Sequence, residues 1–236
     1  MCTARRMTDP DAAEITAAPQ AIAVWDLPTR LFHWVLVGLI GFSWWTGEQG
    51  PENLHMYSGY AVLTLLIFRL LWGIFGSSTA RFSSFVRGPR AVADYLGRMR
   101  NWPGLGHTPV GALSVIALLV LLFAQVGTGL IQTDDDGLVE GPLAPLVSFE
   151  TSELAHDLHE TTFNLLLILI GLHIAAIFFY RFALGKKLLG PMITGKTKLA
   201  TGAEPMRPGK AWVAVLCLLV ALVVTRWIIA GAPPFS

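Results

Sequence analysis

Two histidines, His159 and His173, stand fourteen residues apart in HETTFNLLLILIGLH, a stretch with no charge after Glu160. On an α-helix that interval advances about 21 Å and ends within about 40° of whole turns, so both imidazoles project from nearly one face. An imidazole in hydrocarbon is costly unless something binds it, which makes an intramembrane histidine a candidate functional residue. Two on one face at that separation suit two stacked metal centres, one toward each membrane surface, and heme iron is the guest that fits. A second pair of histidines, His33 and His55, stands at the starts of two other apolar segments.

The elements that must position these donors are membrane spans. The chain has 236 residues, 53% of them apolar and 14% charged, with a mean hydropathy of +0.57; soluble domains carry roughly 25% charged residues. Five segments approach the roughly 20 apolar residues that cross a bilayer: 31–47, 54–76 (interrupted by Arg69), 110–131, 158–182 and 211–232 (interrupted by Arg226). No amphipathic stripes appear, which argues against a soluble helical protein. The fold expected is an all-α integral membrane protein: a four-helix transmembrane bundle from residues 24–200, with a fifth, peripheral C-terminal transmembrane helix at 211–232. Residues 1–23 read as a disordered cytoplasmic tail and not a cleavable signal, and 201–210 as a linker. Cys2 and Cys217 are the two cysteines and no CxxCH occurs, which excludes a disulfide framework, covalent c-type heme and iron–sulfur ligation.

Loop charges set the orientation. The stretch 77–108 carries Arg81, Arg87, Arg90, Arg98 and Arg100 against Asp94, and 181–210 carries seven Lys and Arg against Glu204. The stretch 132–160 has no Lys or Arg but eight acids, including Asp134, Asp135 and Asp136. By the positive-inside rule the basic loops and the N-terminus are cytoplasmic. His33 then lies near the cytoplasmic surface, His55 and His159 near the outer one, and His173 deep on the cytoplasmic side. Four imidazoles sort by height into two pairs, His33–His173 and His55–His159, as two bis-histidine b hemes held without covalent bonds require. The spans at 110–131 and 211–232 contain no histidine and are expected to be packing helices.

Neighbouring residues compete for these roles. His156 is rotated about 100° from the face of His173, against about 40° for His159, which favours His159 as the outer ligand. His107, just before Pro109, reads either as a wet loop residue or as a fifth contact near the inner heme or a quinone. Arg69 lies fourteen residues after His55, at the height of the inner heme. Its guanidinium either meets a heme propionate or snorkels to the cytoplasmic surface. Gly38, Gly41, Gly59 and Gly171 would let a flat macrocycle approach the backbone, or serve ordinary helix contacts. The acidic run Asp134–Asp136 suits either a basic partner or a solvated loop.

The segments VWDLPTRLFHW, LHMYSGYAVLTLLIFRLLWG, ARFSSFVRGPRAVADYL, LHETTFNLLLILIGLH and GPMITGK, across residues 22–200, resemble the bacterial cytochrome b561 family of di-heme b-type cytochromes. That family includes the cytochrome b subunit of nickel–iron hydrogenases. The resemblance implies a four-helix bundle with two b hemes ligated by His33, His55, His159 and His173. It implies transmembrane electron transfer in the bacterial inner membrane between quinone and a redox partner, such as a periplasmic c-type cytochrome or a hydrogenase-like module. Two other roles fit it: a stand-alone oxidoreductase using superoxide or quinol, and a heme-bearing anchor subunit. Lipid and quinone, and no nucleic acid, are the expected contacts. The span 211–232 departs from the simplest members.

Overall fold

The protein is described by a computed structural model over residues 20–101, 106–134, 137, 139–199 and 205–233. Residues 1–19 of the expected tail, 201–204 of the expected linker, and Asp135 and Asp136 of the acidic run lie outside the described residues.

Five long helices dominate: α1 (Leu27–Gln49), α2 (Glu52–Phe75), α5 (Pro109–Ile131), α6 (Phe149–Phe182) and α8 (Ala211–Ile229). Short helices α3 (Phe82–Phe85), α4 (Pro89–Leu96) and α7 (Leu189–Thr194) fill the basic connections. The starts are written in the sequence. Asp26 caps α1 by accepting from the Thr29 N–H at 2.9 Å, Thr108 caps α5 through Gly111 at 3.1 Å, and Ser148 caps α6 through Thr151 at 3.3 Å. Pro28 and Pro109 occupy first-turn positions, where a missing N–H costs nothing. Gly50 and Pro51 break the chain between α1 and α2 and return it antiparallel.

Four helices, α2, α5, α6 and α8, are long and apolar enough to cross a membrane. The five spans expected from sequence are therefore met in four; α1 forms a 23-residue helix but is not among the four, because Arg30, His33, Ser43, Thr46 and Glu48 dilute its apolar content. Helix α6 begins at Phe149, not near 158. Its first turns are polar; Ser148 caps them with Glu150 beside the positive helix end, and buried Ser152 donates to the Ile131 carbonyl at 2.8 Å. The tail also ends sooner than expected: Gln20–Ala23 form strand β1, antiparallel to β2 (Lys196–Leu199), with Ala21 opposite Lys198.

Helix α1 packs on α2, α5 on α6, and α2 joins the two pairs through α5 and also carries α8. The core centres on α2, with Leu66 and Trp72 fully covered, and gathers Leu36, Leu119, Leu122, Leu166 and Ala221 from the other helices. Helix α8 turns Cys217, Ala221 and Thr225 inward, one per turn, and Thr64 of α2 donates to Thr225 at 3.0 Å. Small residues at that spacing allow the close helix approach that drives packing in lipid. Outward-facing Leu, Val, Ile and Phe side chains are widely exposed, the surface a bilayer covers.

Candidate functional site

The acidic end of the bundle holds His55, near the start of α2, and His159 of α6. Their ring centroids are 6.1 Å apart and their planes cross at 82°. Each Nδ1 faces a backbone carbonyl at 2.9 Å: Ser43 for His55 and Gln125 for His159. A carbonyl only accepts, so both Nδ1 atoms carry the proton and both Nε2 atoms keep their lone pairs, the tautomer a metal ligand needs. The Gln125 side-chain amide donates to Nε2 of His159 at 2.9 Å. Its Oε1 accepts from Thr162 at 2.5 Å, which fixes the amide's orientation. Thr128 Oγ1 lies 3.2 Å from Nδ1 of His159.

Helix α5 is thus more than the packing helix expected from its lack of histidine. The signal was present as Gln125 and Thr128, which with Ser114 are the polar side chains of a span otherwise apolar. Two further glycines lie close to the outer pair of histidines. A Cβ on Gly129 would lie 2.9 Å from Cε1 of His159, and one on Gly47 3.1 Å from Nδ1 of His55. Gly38, Gly41, Gly59 and Gly171 have no protein atom against them.

At the basic end, His33 of α1 and His173 of α6 stand within electrostatic reach of one another, with no ring contact or hydrogen bond joining them. His33 packs edge-on against Trp34 at 4.8 Å, and its buried Nδ1 has no partner. Helices α1 and α6 make at most isolated contacts along their length, such as Trp44 against Phe163 at 6.1 Å. The two elements that carry this pair are held apart by their neighbours.

Arg69 does not snorkel: it is 2% exposed. Its guanidinium lies 4.6 Å from the ring centre of Phe82, and Nη1 is buried without a partner. Asp26 acts on it electrostatically, yet that carboxylate accepts from the Thr29 N–H and from Trp72 Nε1 at 3.0 Å, not from Arg69. A buried guanidinium with an orphaned donor is a place for an anion. His107 adjoins the same region, set between Trp25 (4.6 Å) and Phe85 (4.4 Å). A little of the residue reaches the surface, but Nδ1 is buried and unpartnered. Burial, then the charges of Arg69 and His173, pushes its pKa down to about 3, so the ring is neutral at physiological pH.

These residues fit a b-type heme on three observations. Metal–imidazole bonds of about 2.0–2.1 Å on both sides of one ion put ring centroids roughly 6 Å apart, the spacing of His55 and His159. Among the described residues no cluster of three or more His, Cys, Asp or Glu donors forms, so paired imidazoles are the ligation these residues offer. The orphaned Nη1 of Arg69 suits a carboxylate. No curated protein and no solved structure gave a match. The family model described as prokaryotic cytochrome b561 matches residues 24–195, the interval that contains all four histidines and Arg69. The chain therefore belongs to the prokaryotic cytochrome b561 family, membrane b-type cytochromes that bind heme and transfer electrons across the membrane.

Proposed function

We propose that this chain is a di-heme electron carrier of the bacterial inner membrane, with both hemes held by pairs of imidazoles. His55 and His159 would hold the outer heme, and His33 and His173 the inner one, with Arg69 receiving a propionate of the inner heme. Heme, when bound, would supply reversible one-electron chemistry, and two imidazoles held by each iron would leave oxygen and substrates no open coordination site. The chain's own residues do the rest. Ser43 and Gln125 carbonyls fix the imidazole tautomers, and the Gln125 amide yields Nε2 of His159 to the metal. The observation that carries this reading is the 6.1 Å spacing of His55 and His159 with both Nδ1 protons committed to carbonyls.

In this reading α1 is a fifth span, the N-terminus is cytoplasmic, and the bundle exchanges electrons between the quinone pool and a redox partner. The partner is a periplasmic c-type cytochrome or a hydrogenase-like module. The test is a pyridine-hemochrome assay of the purified protein with single histidine variants. Two b hemes per chain are expected in the parent and one in His159→Ala, while His156→Ala keeps both. One heme in the parent, or loss on changing His156 alone, rejects the pairing. Quinol turnover by the isolated chain would favour a stand-alone oxidoreductase over a relay.

A further inference from the structure

His107 is a buried polar side chain that the pairing of four histidines leaves without a task. It stands just ahead of Thr108, the cap of α5, and its Nδ1 is buried with no hydrogen-bond partner. A buried polar atom left unpaired costs roughly 1–3 kcal/mol. Nη1 of Arg69 is in the same condition. Arg69 and His173 both lie within electrostatic reach of His107. Two orphaned nitrogens, one of them on a cation, therefore stand in the neighbourhood of the inner pair.

The wall that holds them is aromatic. Phe82 and Phe85, at the two ends of α3, have ring centres 5.7 Å apart. The Arg69 guanidinium sits 4.6 Å from the first ring, and the His107 ring 4.4 Å from the second. Trp25 also packs against His107, at 4.6 Å. Gly73, one turn after Arg69 on α2, makes the room, because a Cβ there would run into the Phe82 ring. These rings fix where the two side chains lie, and a cation gains from an aromatic face, but they give neither nitrogen a lone pair.

What both nitrogens need is an acceptor. Asp26 acts electrostatically on Arg69, yet its oxygens accept from the Thr29 N–H and from Trp72 Nε1. With Nδ1 protonated, His107 is a neutral donor. Beside a guanidinium it completes a two-donor site suited to a carboxylate. On the proposed pairing of His33 with His173, on which this inference rests, the propionates of the inner heme bring carboxylates to this end of the bundle. We infer that His107 donates from Nδ1 to a propionate of the inner heme alongside Arg69. His107 is then a cofactor-binding residue, and α3 is the element that positions it.

The test is redox-induced infrared difference spectroscopy of the full heme-loaded chain, its heme isotope-labelled at the propionate carboxyls, with potentiometric titration of the same samples. The label separates propionate bands from those of Asp and Glu. His107→Phe, which keeps a ring against Trp25 and Phe85, is expected to shift a labelled band and lower the midpoint potential of one heme. A donor to the propionate offsets part of its negative charge, so losing that donor disfavours the ferrous form. Arg69→Gln moves the same heme further in the same direction. His107→Asn, whose amide nitrogen takes the place of Nδ1, stays close to the parent. Retention of the b-type spectrum reports folding, and His107→Leu repeats the measurement should the Phe variant fail to fold. Labelled bands that match the parent in the folded His107→Phe or His107→Leu variant overturn the assignment, while two hemes per chain leave the histidine pairing standing. One b heme in the parent removes the pairing and this inference with it.

Discussion

Arg69 and His107 show how much chemistry a single buried polar side chain reveals. The orphaned Nη1 of Arg69 and its 2% exposure leave the propionate as the better of the two readings its spacing allowed. A fixed positive charge favours the ferrous over the ferric form. Arg69→Gln is therefore expected to lower the potential of one heme by tens of millivolts, about 60 mV for each 1.4 kcal/mol lost. Arg69→Lys should recover part of the loss, and potentiometric titration followed in the visible spectrum checks both. For His107 the folded pKa, about 3, lies below the ordinary value of 6.5. The unfolded chain then binds the proton more readily, and this residue costs stability as pH falls below 6.5. The cost is about 1.4 kcal/mol per pH unit until the folded pKa is reached. His107→Phe, which keeps a ring between Trp25 and Phe85, should flatten the fall in thermal midpoint between pH 7 and pH 5.

At the scale of elements, α5 and α6 meet where His159 lies against Gln125, Thr128 and Gly129, and the glycine sets how closely. Gly129→Ala drives a methyl into His159, whereas Gly127 faces open space. Gly129→Ala should shift or remove one heme's spectral signature while Gly127→Ala leaves both intact, measured by low-temperature difference spectra. The short helix α4 is held to α6 by Tyr95 and Tyr180, whose hydroxyls lie 2.5 Å apart. Burial, and then this bond, raises the Tyr95 pKa, so the stability it provides is present below pH 10 and is lost above it. Tyr95→Phe should cost about 1 kcal/mol, the net worth of the lost bond, since the Tyr180 hydroxyl keeps Thr108 Oγ1 at 3.5 Å. That His55 and His159 stand close was legible from their places in their spans and from helical periodicity. The role of Gln125 was not, since which carbonyl meets which imidazole depends on how α5 and α6 pack. Strand β1 was equally hidden: four residues in a polar segment become a strand only by pairing with residues 196–199.

The whole molecule divides into the family core and an added helix. The family match ends at residue 195, and α8 docks on α2, where Thr64 meets Thr225. Deleting residues 210–236 is expected to leave heme content per chain unchanged and to lower the thermal midpoint. Thr225→Ala alone should cost about 0.6–1.7 kcal/mol, the range for interhelical hydrogen bonds in lipid. The clasp of β1 on β2 matters at this scale too, because it ties the chain ahead of α1 to the chain following α6. On the proposed pairing both cofactors draw one ligand from α6, so a nascent polypeptide that has delivered α1, α2 and α5 to the bilayer still has no complete coordination pair. The clasp closes later again, once residue 199 has left the ribosome. Heme acquisition then belongs to the end of biosynthesis, and a truncated translation product ending before residue 159 would accumulate in the membrane colourless.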